Sequence, residues 1–133
     1  MSMTEHPNKP EGSLCMQGQD LTVVTAESGE TIVDNISFEL KAGRIFALVG
    51  ESGSGKSVTS LAAMRLLPGA LKIRTGSVTM DGQDLFALSE ASMQSIRGRR
   101  VAMIFQNAMT ALNPVQTVGR QVAETLQLHT SLR

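Results

Sequence analysis

The chain has 133 residues, with 12 Lys and Arg balanced by 12 Asp and Glu, so its formal net charge is zero. At 41% hydrophobic and 3% aromatic residues, its composition is that of one soluble globular domain of ordinary size. Zero net charge argues against a nucleic acid held by bulk electrostatics, and four Phe with no Tyr or Trp argue against a stacking platform for single strands.

Residues 1–13 are polar, carry Pro7 and Pro10, and predict a disordered lead-in. One domain is expected over residues 14–133. Cys15, the only cysteine, can form no internal disulfide and reads as an incidental residue rather than a nucleophile. Leu21-Thr22-Val23 and Ile36-Ser37-Phe38-Glu39-Leu40 alternate apolar and polar side chains, as half-buried strands do. The turn signal Glu27-Ser28-Gly29-Glu30 lies between them, so residues 20–26 and 31–40 are expected to pair as an antiparallel hairpin.

After the turn Lys41-Ala42-Gly43, the run Ile45-Phe46-Ala47-Leu48-Val49 that follows Arg44 is wholly apolar. That is the pattern of a parallel strand buried on both faces. It leads into Gly50-Glu51-Ser52-Gly53-Ser54-Gly55-Lys56-Ser57, which fits the phosphate-loop pattern G-x-x-x-x-G-K-[ST] at every fixed position. Glycines allow the backbone to approach a ligand closely, and inward amides form a nest for phosphate oxygens. A helix beginning near Lys56 would direct its N-terminal N–H groups at the same anion. Lys56 would add a full charge for the β- and γ-phosphates, and Ser57 a hydroxyl suited to Mg²⁺. The bland alternative is a Gly/Ser turn between strand and helix; the order strand, loop, helix favours the phosphate site.

Val58, Leu61, Ala62, Met64 and Leu66 predict that helix, and Leu67-Pro68-Gly69 stops it. Ser77-Val78-Thr79-Met80 alternates again before the turn pair Asp81-Gly82, and is expected to return to the antiparallel sheet. Ser89 is a candidate cap for a helix over residues 90–97 that Gly98 ends. Arg97, Arg99 and Arg100 read as a solvated basic surface, with an acidic partner as the alternative. Val101-Ala102-Met103-Ile104-Phe105 is a second apolar run, predicted as a second parallel strand, ending on Gln106-Asn107. Polar residues at such a strand end lie on the rim where open α/β sheets bind ligands. Asn113-Pro114 then breaks the chain before a helix carrying Val115, Val118, Val122 and Leu126. No apolar run approaches bilayer length, and no secretory leader is apparent.

The hairpin, the loop of residues 50–57 and the run Met103-Ile104-Phe105-Gln106-Asn107-Ala108-Met109-Thr110-Ala111-Leu112-Asn113-Pro114, followed by Thr117-Val118-Gly119, together resemble an ABC transporter ATP-binding subunit. They are most similar to the importers of oligopeptides, dipeptides, nickel and glutathione. The resemblance runs from about Leu14 to the end. It implies the N-terminal half of an α/β, ABC-type P-loop ATPase domain: an antiparallel β subdomain plus part of a parallel-sheet core.

By that resemblance residues 50–57 are the Walker A loop, binding ATP and Mg²⁺. Gln106 is the Q-loop glutamine, a catalytic group that senses the metal (with Ser57) and the attacking water. Residues 107–114 would touch a transmembrane permease subunit. A second ATP-binding subunit and a place on the cytoplasmic face of the membrane are also implied. Two departures stand out. The family usually presents an aromatic to adenine, whereas Val24 and Thr25 stand there, so adenine is expected on aliphatic surface. The signature loop, Walker B carboxylates and switch histidine are not recognisable, and His129 does not match a switch-histidine context. The chain alone is therefore expected not to hydrolyse ATP. A small P-loop metabolite kinase and a non-catalytic nucleotide-binding module are the alternative readings.

Overall fold

The computed structural model describes residues 9–105 and 112–129. The chain divides into two compact units, Met1–Ala87 and Leu88–Arg133.

The first unit is built on strand β1 (Leu14–Thr25), which pairs antiparallel with β2 (Thr31–Lys41) on one side and with β3 (Leu71–Met80) on the other. The short β4 (Gln83–Asp84) completes the order β2-β1-β3-β4. The expected hairpin is present and longer at its open end than its alternation indicated, β1 beginning at Leu14 and β2 running to Lys41. The stretch of residues 71–74 joins residues 77–80 in one strand.

Four consecutive residues of β1, from Leu21 to Val24, are buried. A regular strand alternates its faces; here the register with β2 slips between Leu21 and Val23 and again between Val23 and Val24. Such irregularities re-aim side chains, and Leu21, Val23 and Val24 all enter the core with Val33, Val78 and Leu85. Gly18 pairs with Phe38, whose ring lies over it: a Cβ there would meet Phe38 Cε1 at 2.4 Å. The ring covers backbone that glycine leaves bare.

Helix α1 (Lys56–Ala63) packs on β1 and β2 through Thr59, Ala62 and Ala63. It ends earlier than Leu67-Pro68-Gly69 required, because Arg65 turns into the left-handed region at φ 55°. Residues 9–13, expected within a disordered lead-in, are held against the sheet. Lys9 Nζ donates to Leu14 O at 3.0 Å and pairs with Asp81, and Gly12 N donates to Ala42 O at 2.9 Å. Residues 1–8 lie outside the described residues.

The second unit holds helix α2 (Glu90–Ile96) and helix α3 (Val118–His129). Ser89 caps α2 as expected, its Oγ accepting from Ser92 N at 3.2 Å. Gly98, at φ 79°, turns the chain away after Arg97, which pairs with Glu90. Before α3, Asn113 Oδ1 accepts from Val115 N at 3.1 Å. Gln121 brackets the same turn, accepting from Asn113 N at 2.9 Å and donating to Asn113 O at 3.0 Å.

The two apolar runs are not strands. Residues 44–49 follow β2 without sheet pairing, leaving Ile45 fully exposed and Val49 89% exposed. Of residues 101–105 only Val101 bridges, to Arg97, and Ile104 is 97% exposed. A strand is held by hydrogen bonds to neighbouring backbone. The four described strands pair among themselves, so neither run gains a partner. The expected parallel core is thus not formed among the described residues. No helix among them is long and apolar enough to cross a membrane.

Candidate functional site

The loop of residues 50–57 lies in the first unit, between the irregular segment 44–49 and α1. Its shape follows from its glycines. Gly53 and Gly55 take φ 82° and 85°, a left-handed backbone that side chains disfavour. Gly55 is buried, and a Cβ on it would stand 2.8 Å from Val33 Cγ2 and 3.2 Å from Ile32 O. The start of β2 is therefore the floor on which the loop enters the helix.

Gly55 occupies the N-cap position of α1 with no side chain capping it, and the first turn carries no acidic residue. The leading N–H groups of a helix lack partners within the helix and carry the positive end of its dipole. An uncapped first turn without carboxylates fits an anion. Thr59 anchors the turn from inside, its buried hydroxyl donating to Gly55 O at 3.0 Å alongside its own amide at 2.8 Å.

Lys56 is half-buried and bends back across the loop. Its Nζ donates to Gly50 O at 2.8 Å, to Glu51 O, and to Ser54 Oγ at 3.1 Å. Ser54 N donates to Glu51 O at 3.2 Å, closing a tight turn. Gly50 must be glycine for this arrangement, since a Cβ would stand 2.5 Å from Ser54 Oγ. Glu51, Ser52 and Ser57 are exposed, Ser57 on the first turn of α1.

All eight residues singled out from the loop are thus brought together. Gln106 lies outside the described residues, as do residues 107–111. The aliphatic platform expected at Val24 and Thr25 is corrected. Val24 is wholly buried, and Thr25 Oγ1 is engaged with Ser28 Oγ at 2.6 Å and with Glu30 N at 2.9 Å. Val33 and Thr59 carry the loop yet were not singled out. Thr59 stands one helical turn beyond Gly55, a spacing that could have found it; nothing in the sequence ties Val33 to the loop.

The ABC transporter family profile matches residues 33–132. A probable peptide ABC transporter ATP-binding protein of Sinorhizobium fredii is 44% identical over 125 residues, covering 92% of this chain and 37% of that protein. The oligopeptide transport ATP-binding protein OppD of Bacillus subtilis is 48% identical over 100 residues, covering 73% of this chain and 27% of that protein. The chain therefore spans well under half the length of these relatives. Among solved structures, a bacterial Atm1-family ABC exporter with ATP bound is similar at a TM-score of 0.51 and 26% identity, over 76% of this chain and 18% of that one. With the loop's geometry and this profile match in agreement, the chain belongs to the ABC transporter family.

Proposed function

We propose that this chain is the nucleotide-binding portion of an ATP-binding subunit serving a peptide-type ABC importer. The observation that carries the proposal is the loop: left-handed Gly53 and Gly55 opening into an uncapped, acid-free helix N-terminus beside Lys56. The names of the relatives supply the transport context. The Sinorhizobium protein is named for peptide transport and the Bacillus one for oligopeptide transport. The similar solved structure is an exporter, so the direction of transport is part of the proposal rather than a consequence of the fold.

In this reading residues 50–57 hold the phosphates of ATP. Backbone amides of the loop and of the first turn of α1 take the non-bridging oxygens. Lys56 neutralises charge on the β- and γ-phosphates, and the Ser57 hydroxyl ligates Mg²⁺. Mg²⁺ held there would supply charge neutralisation for phosphoryl transfer. Gln106, following the second apolar run, orients water near the terminal phosphate without holding the nucleotide. Residues 107–114 meet a transmembrane permease subunit, and a second ATP-binding subunit completes the assembly on the cytoplasmic face of the membrane.

Single cysteines placed at residues 107–114 in the assembled transporter should crosslink to a membrane subunit. Gln106→Ala should lower transport-linked hydrolysis by about 10²-fold or more while leaving ATP binding nearly intact. Absence of any crosslink across the eight positions, or full hydrolysis in Gln106→Ala, would refute the coupling role.

A further inference from the structure

The Lys56 ammonium has three N–H donors, and three oxygens of its own loop accept from it: Gly50 O, Glu51 O and Ser54 Oγ. A fourth acceptor, such as a phosphate oxygen, cannot be added to a saturated ammonium; it has to replace one of the three. Two of these acceptors are backbone carbonyls, part of the turn that Ser54 N closes onto Glu51 O. The third is a side chain on an exposed residue, free of the constraint of a peptide plane. A Cβ built on Gly50 would meet Ser54 Oγ at 2.5 Å and Lys56 Nζ at 3.9 Å, so hydroxyl and ammonium turn toward the same side of Gly50.

We propose that Ser54 is a positioning residue that competes with phosphate for Lys56, its hydroxyl holding the ammonium inward across the loop. The inference rests on the phosphate-site reading above and adds a sign to it. A hydroxyl that contacts phosphate strengthens binding; one that occupies the lysine's third donor weakens it. Triphosphate binding then proceeds by exchange. Lys56 leaves Ser54 Oγ as an anionic oxygen takes its place, a stronger acceptor for a charged donor.

The test uses the full chain and two readouts. In calorimetry with Mg-ATP, Ser54→Ala should bind about two- to fivefold more tightly than wild type, the worth of one net hydrogen bond. In acetylation followed by mass spectrometry without nucleotide, Lys56 should react more slowly than Lys72, which among the described residues donates to Ala26 O at 3.3 Å. Ser54→Ala should accelerate Lys56 without altering Lys72. Equal or weaker Mg-ATP binding by Ser54→Ala would overturn the inference, as would an unchanged Lys56 reaction rate. Either result can arise while Lys56→Ala still abolishes binding, in which case the phosphate-site reading stands. Equal binding by wild type and Lys56→Ala would overturn both.

Discussion

Gly55 is the residue at which local chemistry and tertiary packing meet. Its left-handed φ excludes most side chains, and its contact with Val33 leaves no room for even a methyl group. Gly55→Ala should therefore destabilise the first unit by about 1–3 kcal/mol, from strain plus overpacking, measured by urea unfolding. It should also weaken Mg-ATP binding. Gly50→Ala separates the two effects. Its Cβ would stand 2.5 Å from the Ser54 hydroxyl, 3.3 Å from Ser54 Cβ and 3.9 Å from Lys56 Nζ, in an exposed part of the loop. The melting temperature should move less than for Gly55→Ala, while Mg-ATP affinity falls by at least about tenfold. In the proposed site the methyl would crowd the side of the loop where Lys56 Nζ meets phosphate, a loss that outweighs any gain from displacing the Ser54 hydroxyl. Equal losses of stability for the two variants would contradict the assignment of Gly55 as the packed residue. The loop was legible in the sequence because glycine spacing is a local property; its dependence on Val33 was not, because that contact joins residues far apart along the chain.

At the level of elements, sequence pattern succeeded where the structure depends on neighbouring residues. The hairpin, the cap at Ser89 and the helix after Asn113-Pro114 follow from alternation, hydroxyl chemistry and breaker residues. Ser89→Ala should cost about 1 kcal/mol of the stability of α2, seen as faster amide exchange at Ser92 with β1 unaffected. The four buried residues of β1 were hidden, since register slips against β2 override simple alternation. Leu21→Ala, at a fully buried position of this central strand, should cost about 2–5 kcal/mol in urea unfolding. A loss below about 1 kcal/mol would show that β1 is not the core of its unit. The apolar runs at residues 44–49 and 101–105 mark the limit of pattern reading. Composition shows that a segment is apolar; only available partner strands make it a strand.

For the whole molecule, the exposed side chains of Ile45, Val49 and Ile104 are a liability. Exposed apolar segments without strand partners favour intermolecular pairing. The double variant Ile45→Thr, Val49→Thr should scatter less light than wild type at equal concentration while retaining its melting temperature. A lowered melting temperature would mean that these side chains are packed in solution. The chain belongs to the ABC transporter family, and the proposed function rests on residues 50–57 as its phosphate loop. The most direct measurement is calorimetric titration of Mg-ATP into the full chain and into Lys56→Ala. The account predicts saturable binding by the wild type and a loss of at least about tenfold in the variant, from removal of a charge-assisted contact. Indistinguishable isotherms for the two proteins would contradict it.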